Sequence, residues 1–461
     1  MCGVFGIRAP GRDVARVTYF GLFALQHRGQ ESAGIAVSER GRLTVLRDMG
    51  LVAQVFNEQS LSGLQGEAAI GHTRYSTTGS TQWTNAQPII LHGRARTVTL
   101  GHNGNLTNAE ELRQSLAADG VNMRTTSDTE VIAALIANDP APLEEAVAAS
   151  MGRLEGAFTV TALSEGTLVG FRDPLGFRPL SLGRIDDDSV LASETCALDL
   201  VGAKLEREVA PGELVLVGED GVRSVEAVPQ AGAGASCLFE FIYLARPDSL
   251  LGGIEVHAVR VRMGEQLAEE SPVEADLVMP VPDSGTPAAI GFARASGIAF
   301  SEGLIKNRYV GRTFIEPDQG LREQGIRLKY NPLAEVAGKR VVIVDDSIVR
   351  GNTTRRIVAV LFEAGAQEVH VRVSSPPIVS PCFYGIDFAD EEQLVASSRT
   401  VEEVRRQIGA TTLAYLSLEG AQAATTRPAA EFCRACFTRS YPTRVPEDRR
   451  LAKMRFEPSR A

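Results

Sequence analysis

The stretch 341-VVIVDDSIVRGNTTRR-356 decides how the second half of this chain folds. Four apolar residues, Val341 to Val344, read as a buried strand, and two carboxylates, Asp345 and Asp346, end it. A polar loop follows with Ser347, Arg350, Gly351, Asn352, Thr353 and Thr354, and then a helix begins. In that helix Ile357, Val360, Leu361 and Ala364 fall at helical spacing, and Gly365 is placed to end it. A strand running through a short polar loop into a helix N-terminus makes an anion site, because unpaired amide N–H groups and the helix dipole face the loop. Gly351 lets backbone approach a phosphate, and the two threonines add hydroxyl donors. Asp345 and Asp346 would repel a phosphate, but they suit a ligand that also presents a vicinal diol, and they can hold magnesium.

Working outward, 256-VHAVRVRMGEQLAEE-270 reads as a helix and 275-ADLVMPVP-282 as a buried strand. Strands alternating with helices predict a doubly wound parallel sheet. Residues before about 230 read differently, as short strands and turns with helical stretches at 108-NAEELRQSLAADG-120 and 129-TEVIAALIAND-139. The Ala/Gly-rich 228-VPQAGAGASC-237 separates the halves. We therefore expect two domains, residues 1–235 and 236–461. A length of 461 residues allows two or three at about 150 residues each.

Apolar residues make up 44% and charged residues 23%, with 44 Gly and 22 Pro, the composition of a soluble α/β protein. A net charge of -10 argues against nucleic acid as a partner. The N-terminus carries no secretory pattern and no apolar run approaches a membrane span, so a cytoplasmic location is expected.

The complete loop string resembles the phosphoribosylpyrophosphate (PRPP) loop of type I phosphoribosyltransferases. There the acidic pair holds the ribose and the following residues, here Ser347 to Thr354, hold the 5′-phosphate. It is not a Walker A loop, because no Gly-Lys-Ser/Thr follows. The same resemblance assigns magnesium to Ser284 of 280-PVPDSG-285 together with Asp345 and Asp346. The basic, loop-like 306–332 corresponds to a lid.

Cys2 is the second feature. Alone, a cysteine near a terminus is usually a small buried residue. With 25-LQHRGQESAGI-35, 71-GHTRYSTTG-79, 101-GHNGNLTN-108 and 126-TSDTE-130, it resembles the glutaminase domain of class II glutamine amidotransferases, an N-terminal nucleophile αββα sandwich. The resemblance implies Cys2 as nucleophile, made N-terminal by removal of Met1, with Asn103 and Gly104 as oxyanion donors. It places Arg28, Arg74 and Asp128 at the glutamine site: Arg74 on the α-carboxylate, Asp128 on the α-amino group, Arg28 supporting the nucleophile. Tyr75 is the position that couples the two sites. Taken singly, Arg74 reads as a surface ion pair, Asp128 as a helix cap and 102-HNGN-105 as a turn.

The two modules in this order resemble the PRPP-dependent glutamine amidotransferase family. The expected reaction uses glutamine, water and PRPP: ammonia released at Cys2 displaces pyrophosphate to give 5-phosphoribosylamine, the first step of purine synthesis. The family resemblance also implies purine nucleotide inhibitors and a homotetramer. Another class II amidotransferase, or a non-catalytic PRPP-binding regulator, are the competing readings. Neither accounts for the PRPP loop and the glutaminase segments together.

Six cysteines are too few for a disulfide framework in a chain this long. Beyond Cys2 and an unremarkable Cys196 lie Cys237, Cys382, Cys433 and Cys436, with one CxxC pair. The contexts 237-CLFEFIYLARPDS-249 and 432-FCRACFTRSYPT-443 resemble the iron-sulfur branch of the family and imply a 4Fe-4S cluster. Zinc or free thiols are the alternatives. That branch often carries a propeptide before the catalytic cysteine, whereas here only Met1 precedes it.

Overall fold

In the computed structural model, residues 2–76, 79–307, 330–388 and 390–446 are described. The segment expected as a lid therefore lies largely outside the described residues, at 308–329, as does the charged tail beyond residue 446.

Two antiparallel sheets form the first half. One has seven strands in the order Lys204–Glu208, Ser181–Ile185, Asp188–Ala192, Gly3–Arg8, Ala68–Arg74, Ser32–Glu39, Arg42–Met49. The other has six, in the order Gly221–Glu226, Glu213–Gly218, Thr167–Arg172, Gly156–Ser164, Thr97–Leu106, Ile89–His92. Period-two alternation assigns each strand two cores. In Gly3–Arg8, Phe5 and Ile7 pack with Val14, Leu22 and Leu25 of the helix side. Val4 faces the other way, joining Ile70, Leu163, Leu168 and Val215 between the sheets. On the far side of the second sheet, Phe158, Val160 and Phe171 pack against helices Ala109–Ala118, Thr129–Asn138 and Leu143–Met151. The layers are helix, sheet, sheet, helix, the expected αββα sandwich. Asp13 starts the first helix by accepting from the Arg16 amide.

The second half is built on a parallel sheet ordered Leu277–Pro280, Arg340–Asp345, Glu368–Val373, Thr412–Tyr415. Its first three strands are buried on both faces, as the continuous apolar runs require, and the edge strand Thr412–Tyr415 is half-buried. Val342 and Val344 meet Val259, Met263 and Phe292 of helices Val256–Glu270 and Thr286–Ser296. Val341 and Ile343 meet Ile357, Leu361 and Ile408 on the opposite face. The doubly wound architecture is as expected.

Helix Asn352–Glu363 begins after Gly351, whose φ of +77° is left-handed and favours glycine. It ends before Gly365, also left-handed. Its buried stripe is Thr354, Ile357, Val358 and Leu361. Val358, three and four residues from its neighbours, takes the place expected for Val360, which with Ala364 lies at the partly exposed edge.

Candidate active sites

Cys2 starts the strand that runs up the centre of the first sheet, and it is buried, 7% exposed. Its amide donates to Asn103 Oδ1 at 3.3 Å, and its Sγ lies 3.6 Å from the Tyr75 carbonyl. Its own carbonyl accepts from Arg28 Nε at 3.0 Å. Asn103 and Gly104 belong to the strand Thr97–Leu106, so 102-HNGN-105 is not a turn. Asn103 is fully buried, and its Nδ2 has no partner among the described residues. A buried amide donor without an acceptor is costly, about 1–3 kcal/mol, and is expected where a ligand supplies the acceptor. A side chain on Gly104 would put Cβ 2.0 Å from the Ala157 carbonyl oxygen of the paired strand.

Asp128 stands at the N-terminal end of helix Thr129–Asn138, yet its side chain does not cap it. It reaches back to accept from the Leu106 amide at 2.9 Å and faces His102 Nδ1 at 3.7 Å. Burial opposes both charges, but each partner outweighs it: His102 is raised above its ordinary pKa and Asp128 is held below its own. His72, behind this strand, is pulled down to about 3 by burial and is neutral.

Arg74 is no surface residue; it is 2% exposed, donates to the Ser80 carbonyl at 3.2 Å and lies 3.6 Å from Glu31. Tyr75, next to it, donates to Asp387 Oδ2 at 3.4 Å, a residue of the second half. Arg74, Tyr75, Asn103, Gly104, Asp128 and Cys2 are thus brought to one end of the two sheets.

Arg28 is buried among protein acceptors: Glu194, and Glu240 at 2.8 and 3.2 Å. Glu194 also accepts from His27 Nε2, Ser249 Oγ and the Arg246 amide at 2.7–2.8 Å. Burial would raise the Glu194 carboxyl, but His27 and Arg28 hold it well below the usual carboxylate range. Glu194, Glu240, His102 and Arg178 do not stand out in the sequence. For Glu240 a signal was present: a carboxylate inside the apolar run 238-LFEFIYL-244 needs a buried partner.

In the second half, Asp345 and Asp346 close the strand Arg340–Asp345 with 7% and 6% exposure. Ser284 Oγ donates to Asp346 Oδ2 at 2.5 Å and Ser347 Oγ to Oδ1. The serine and the acidic pair therefore share one oxygen-lined spot. Burial raises both carboxyls, and Asp346 adds to the effect on Asp345 by repulsion. Arg350, Asn352 and Thr353 are exposed around the helix N-terminus, and Thr354 turns inward. The strands Leu304–Lys306 and Tyr330–Pro332 pair antiparallel beside this site, with Lys306 bonded to Asp283 at 2.5 Å.

Cys237 and Cys433 are register partners of two short parallel strands. Cys436 follows on the next turn, and Cys382 packs on the same apolar groups. Burial pushes the Cys237 thiol up to about 11, with further repulsion from Glu240 and Cys382. Burial, then the neighbouring thiols, raise Cys433 and Cys436 as well. Among the described residues, no group of three or more His, Cys, Asp or Glu side chains is arranged as a ready metal site. Nor is any helix long and apolar enough to cross a membrane.

Residues 72–200 match the glutamine amidotransferase domain family, and residues 260–375 the phosphoribosyl transferase domain family. The chain is 53% identical to the amidophosphoribosyltransferase of Mycobacterium tuberculosis, over 98% of this chain and 88% of that one. It is 52% identical to that of Synechococcus elongatus, over 99% and 94%, and 49% identical to that of Bacillus subtilis, over 97% and 95%. A solved structure of the B. subtilis glutamine PRPP amidotransferase, complexed with ADP and GMP, superposes with a TM-score of 0.92 at 48% identity, covering 98% of this chain and 99% of that one. With both modules matched and half the residues identical across nearly the whole length, this chain belongs to the amidophosphoribosyltransferase family.

Proposed function

We propose that the chain's two sites divide the family reaction as follows. With Met1 removed, the Cys2 α-amine takes the thiol proton and Sγ attacks the glutamine side-chain amide. The C–S bond forms, the amide oxygen becomes an oxyanion between Asn103 Nδ2 and the Gly104 amide, and the C–N bond breaks as the proton passes to departing ammonia. Water then hydrolyses the thioester, giving glutamate and the free thiol. Arg74 would hold the substrate α-carboxylate and Asp128 its α-amino group, with Arg28 fixing the Cys2 carbonyl.

At the second site, Asp345 and Asp346 accept from the ribose hydroxyls, and the Ser347 to Thr354 loop takes the 5′-phosphate on its amides and hydroxyls. Ammonia attacks C1 as its bond to pyrophosphate breaks, and loses a proton to give 5-phosphoribosylamine. The oxygen donors of Ser284, Asp345 and Asp346 suit a hard divalent cation. Magnesium bound there supplies charge neutralisation for pyrophosphate. Tyr75, bonded to Asp387 at 3.4 Å, is the link between the sites.

The observation that carries this reading is Asn103: its Oδ1 holds the Cys2 amide, and its Nδ2 is buried with no partner. The test is release of glutamate and pyrophosphate from glutamine, PRPP and magnesium. Cys2→Ala should abolish glutamine-dependent turnover and keep turnover with free ammonia.

We further assign Cys237, Cys382, Cys433 and Cys436 to a 4Fe-4S cluster, which places this chain in the iron-sulfur branch. Support comes from the donor set: thiols only, mutually interacting, Cys237, Cys433 and Cys436 buried and Cys382 half-buried, with the Arg178 cation beside Cys237, Cys382 and Cys433. Thiolates held so far from solvent need such compensation. The cluster's role is structural, joining the strand at 236–237, the 382–387 loop and the segment 432–436. Purine nucleotides as inhibitors fit the ADP and GMP held by the B. subtilis enzyme. A homotetramer in the cytoplasm completes the assignment.

A further inference from the structure

Three chain segments meet at Glu240, which is 2% exposed and sits in the helical turn Glu240–Leu244, beyond the Ala/Gly-rich connection. Its carboxylate receives the Arg28 fork at 2.8 and 3.2 Å, and Arg28 Nε in turn holds the Cys2 carbonyl at 3.0 Å. The same Oε1 lies 3.4 Å from Arg178 Nη1. Arg178 is fully buried and donates twice to the Tyr384 carbonyl, at 3.1 and 2.7 Å. The neighbours of Tyr384 lie on the oxyanion strand. The Phe383 carbonyl accepts from Asn105 Nδ2 at 3.0 Å, and a Cβ on Gly385 would come within 3.0 Å of Gly104.

We infer that Glu240 is a positioning residue for the thiol site, aligning Cys2 through Arg28 and the Asn103–Asn105 strand through Arg178 and Tyr384. The nucleophile and its oxyanion donors stand on different sheets, so their separation is set by whatever spans both. One carboxylate shared by two buried arginines does this rigidly, because a guanidinium fixes direction as well as distance. Without the Glu240 charge, Arg28 keeps Glu194, whereas Arg178 loses the carboxylate it shares with Arg28, and the two cations repel. The turn carrying Glu240 is itself pinned: the Phe241 and Ala245 carbonyls both accept from Arg260 at 2.8 Å. Arg260 stands on helix Val256–Glu270, near enough to Asp346 for their charges to interact. A residue of the phosphoribosyltransferase half thereby completes the glutaminase site.

The inference rests on the two-site reading above, and the test separates the two. Full-length Glu240→Gln and Arg178→Lys are assayed with glutamine and, separately, with free ammonia. Labelling of Cys2 is followed with an electrophilic glutamine analogue and with iodoacetamide. Glu240→Gln is expected to lower the ratio of glutamine-dependent to ammonia-dependent kcat at least about tenfold, as misalignment of reacting groups does. The KM for glutamine should stay within about twofold, and analogue labelling should slow more than iodoacetamide labelling. Arg178→Lys should give the same signature, and carries the test should Glu240→Gln not fold. The double variant should cost no more than the larger single one, since both act through one carboxylate. An unchanged ratio, or equal loss of both activities, overturns the inference by leaving these residues only a scaffold role. A wild-type chain inactive with both nitrogen sources overturns the functional reading and the inference with it.

Discussion

Asn103 accepts a hydrogen bond from the Cys2 amide at 3.3 Å, while its own Nδ2 stays buried and unpaired. In the proposed reaction this one side chain orients the nucleophile and keeps a donor in reserve for the charge that develops on attack. Asn103→Ala should lower glutamine-dependent kcat about 10²- to 10³-fold, the usual cost of an oxyanion donor. Steady-state kinetics would show the loss in kcat rather than in KM for glutamine, with ammonia-dependent turnover intact.

The Gly104 site is a packing constraint. Gly104→Ala drives Cβ to 2.0 Å from the Ala157 carbonyl, which is backbone and cannot swing away. The pairing of Thr97–Leu106 with Gly156–Ser164 must shift. We expect a destabilisation of about 1–3 kcal/mol in denaturant unfolding and loss of glutaminase activity.

His102 and Asp128 give a pH signature. The His102 pKa is raised because Asp128 outweighs burial, so its contribution is complete below about pH 6.5 and is lost as pH rises through the folded value. Asp128 is shifted the other way. Its share is present above about pH 4 and is lost as pH falls through its lowered value. Comparing unfolding of the native chain and His102→Gln across this range should show the stability gap shrinking at alkaline pH, with the His102 imidazole resonances titrating above the pH of an ordinary histidine.

Much of this was legible in the sequence. The run Val341–Val344 into Asp345 and Asp346 specified strand, loop and helix because apolar period and glycine placement act locally. The quoted segments likewise brought Arg74, Asn103 and Asp128 to one place. What was not legible is long-range: Asp128 looks like a cap until Leu106 and His102 are seen to claim its carboxylate. Glu240, Glu194 and Arg178 gain meaning only when residues far apart in the chain are buried together. Val358 replaced Val360 in the core because the helix face is set by its rotation against the sheet, which spacing alone leaves open by one residue.

The cluster assignment makes a direct prediction. Protein purified without oxygen should be brown, with about four irons per chain, and Cys433→Ser or Cys436→Ser should lose both colour and iron. Colourless protein, or protein loaded with zinc, would remove the assignment and the iron-sulfur branch with it.

The proposed reaction divides its labour between Cys2 and the Asp345–Thr354 loop. Pyrophosphate release from PRPP and magnesium by Cys2→Ala, with glutamine and then with ammonia as the nitrogen source, measures that division. No turnover with glutamine and wild-type turnover with ammonia are expected. Equal loss with both, in a variant that melts like the wild type, would contradict the division.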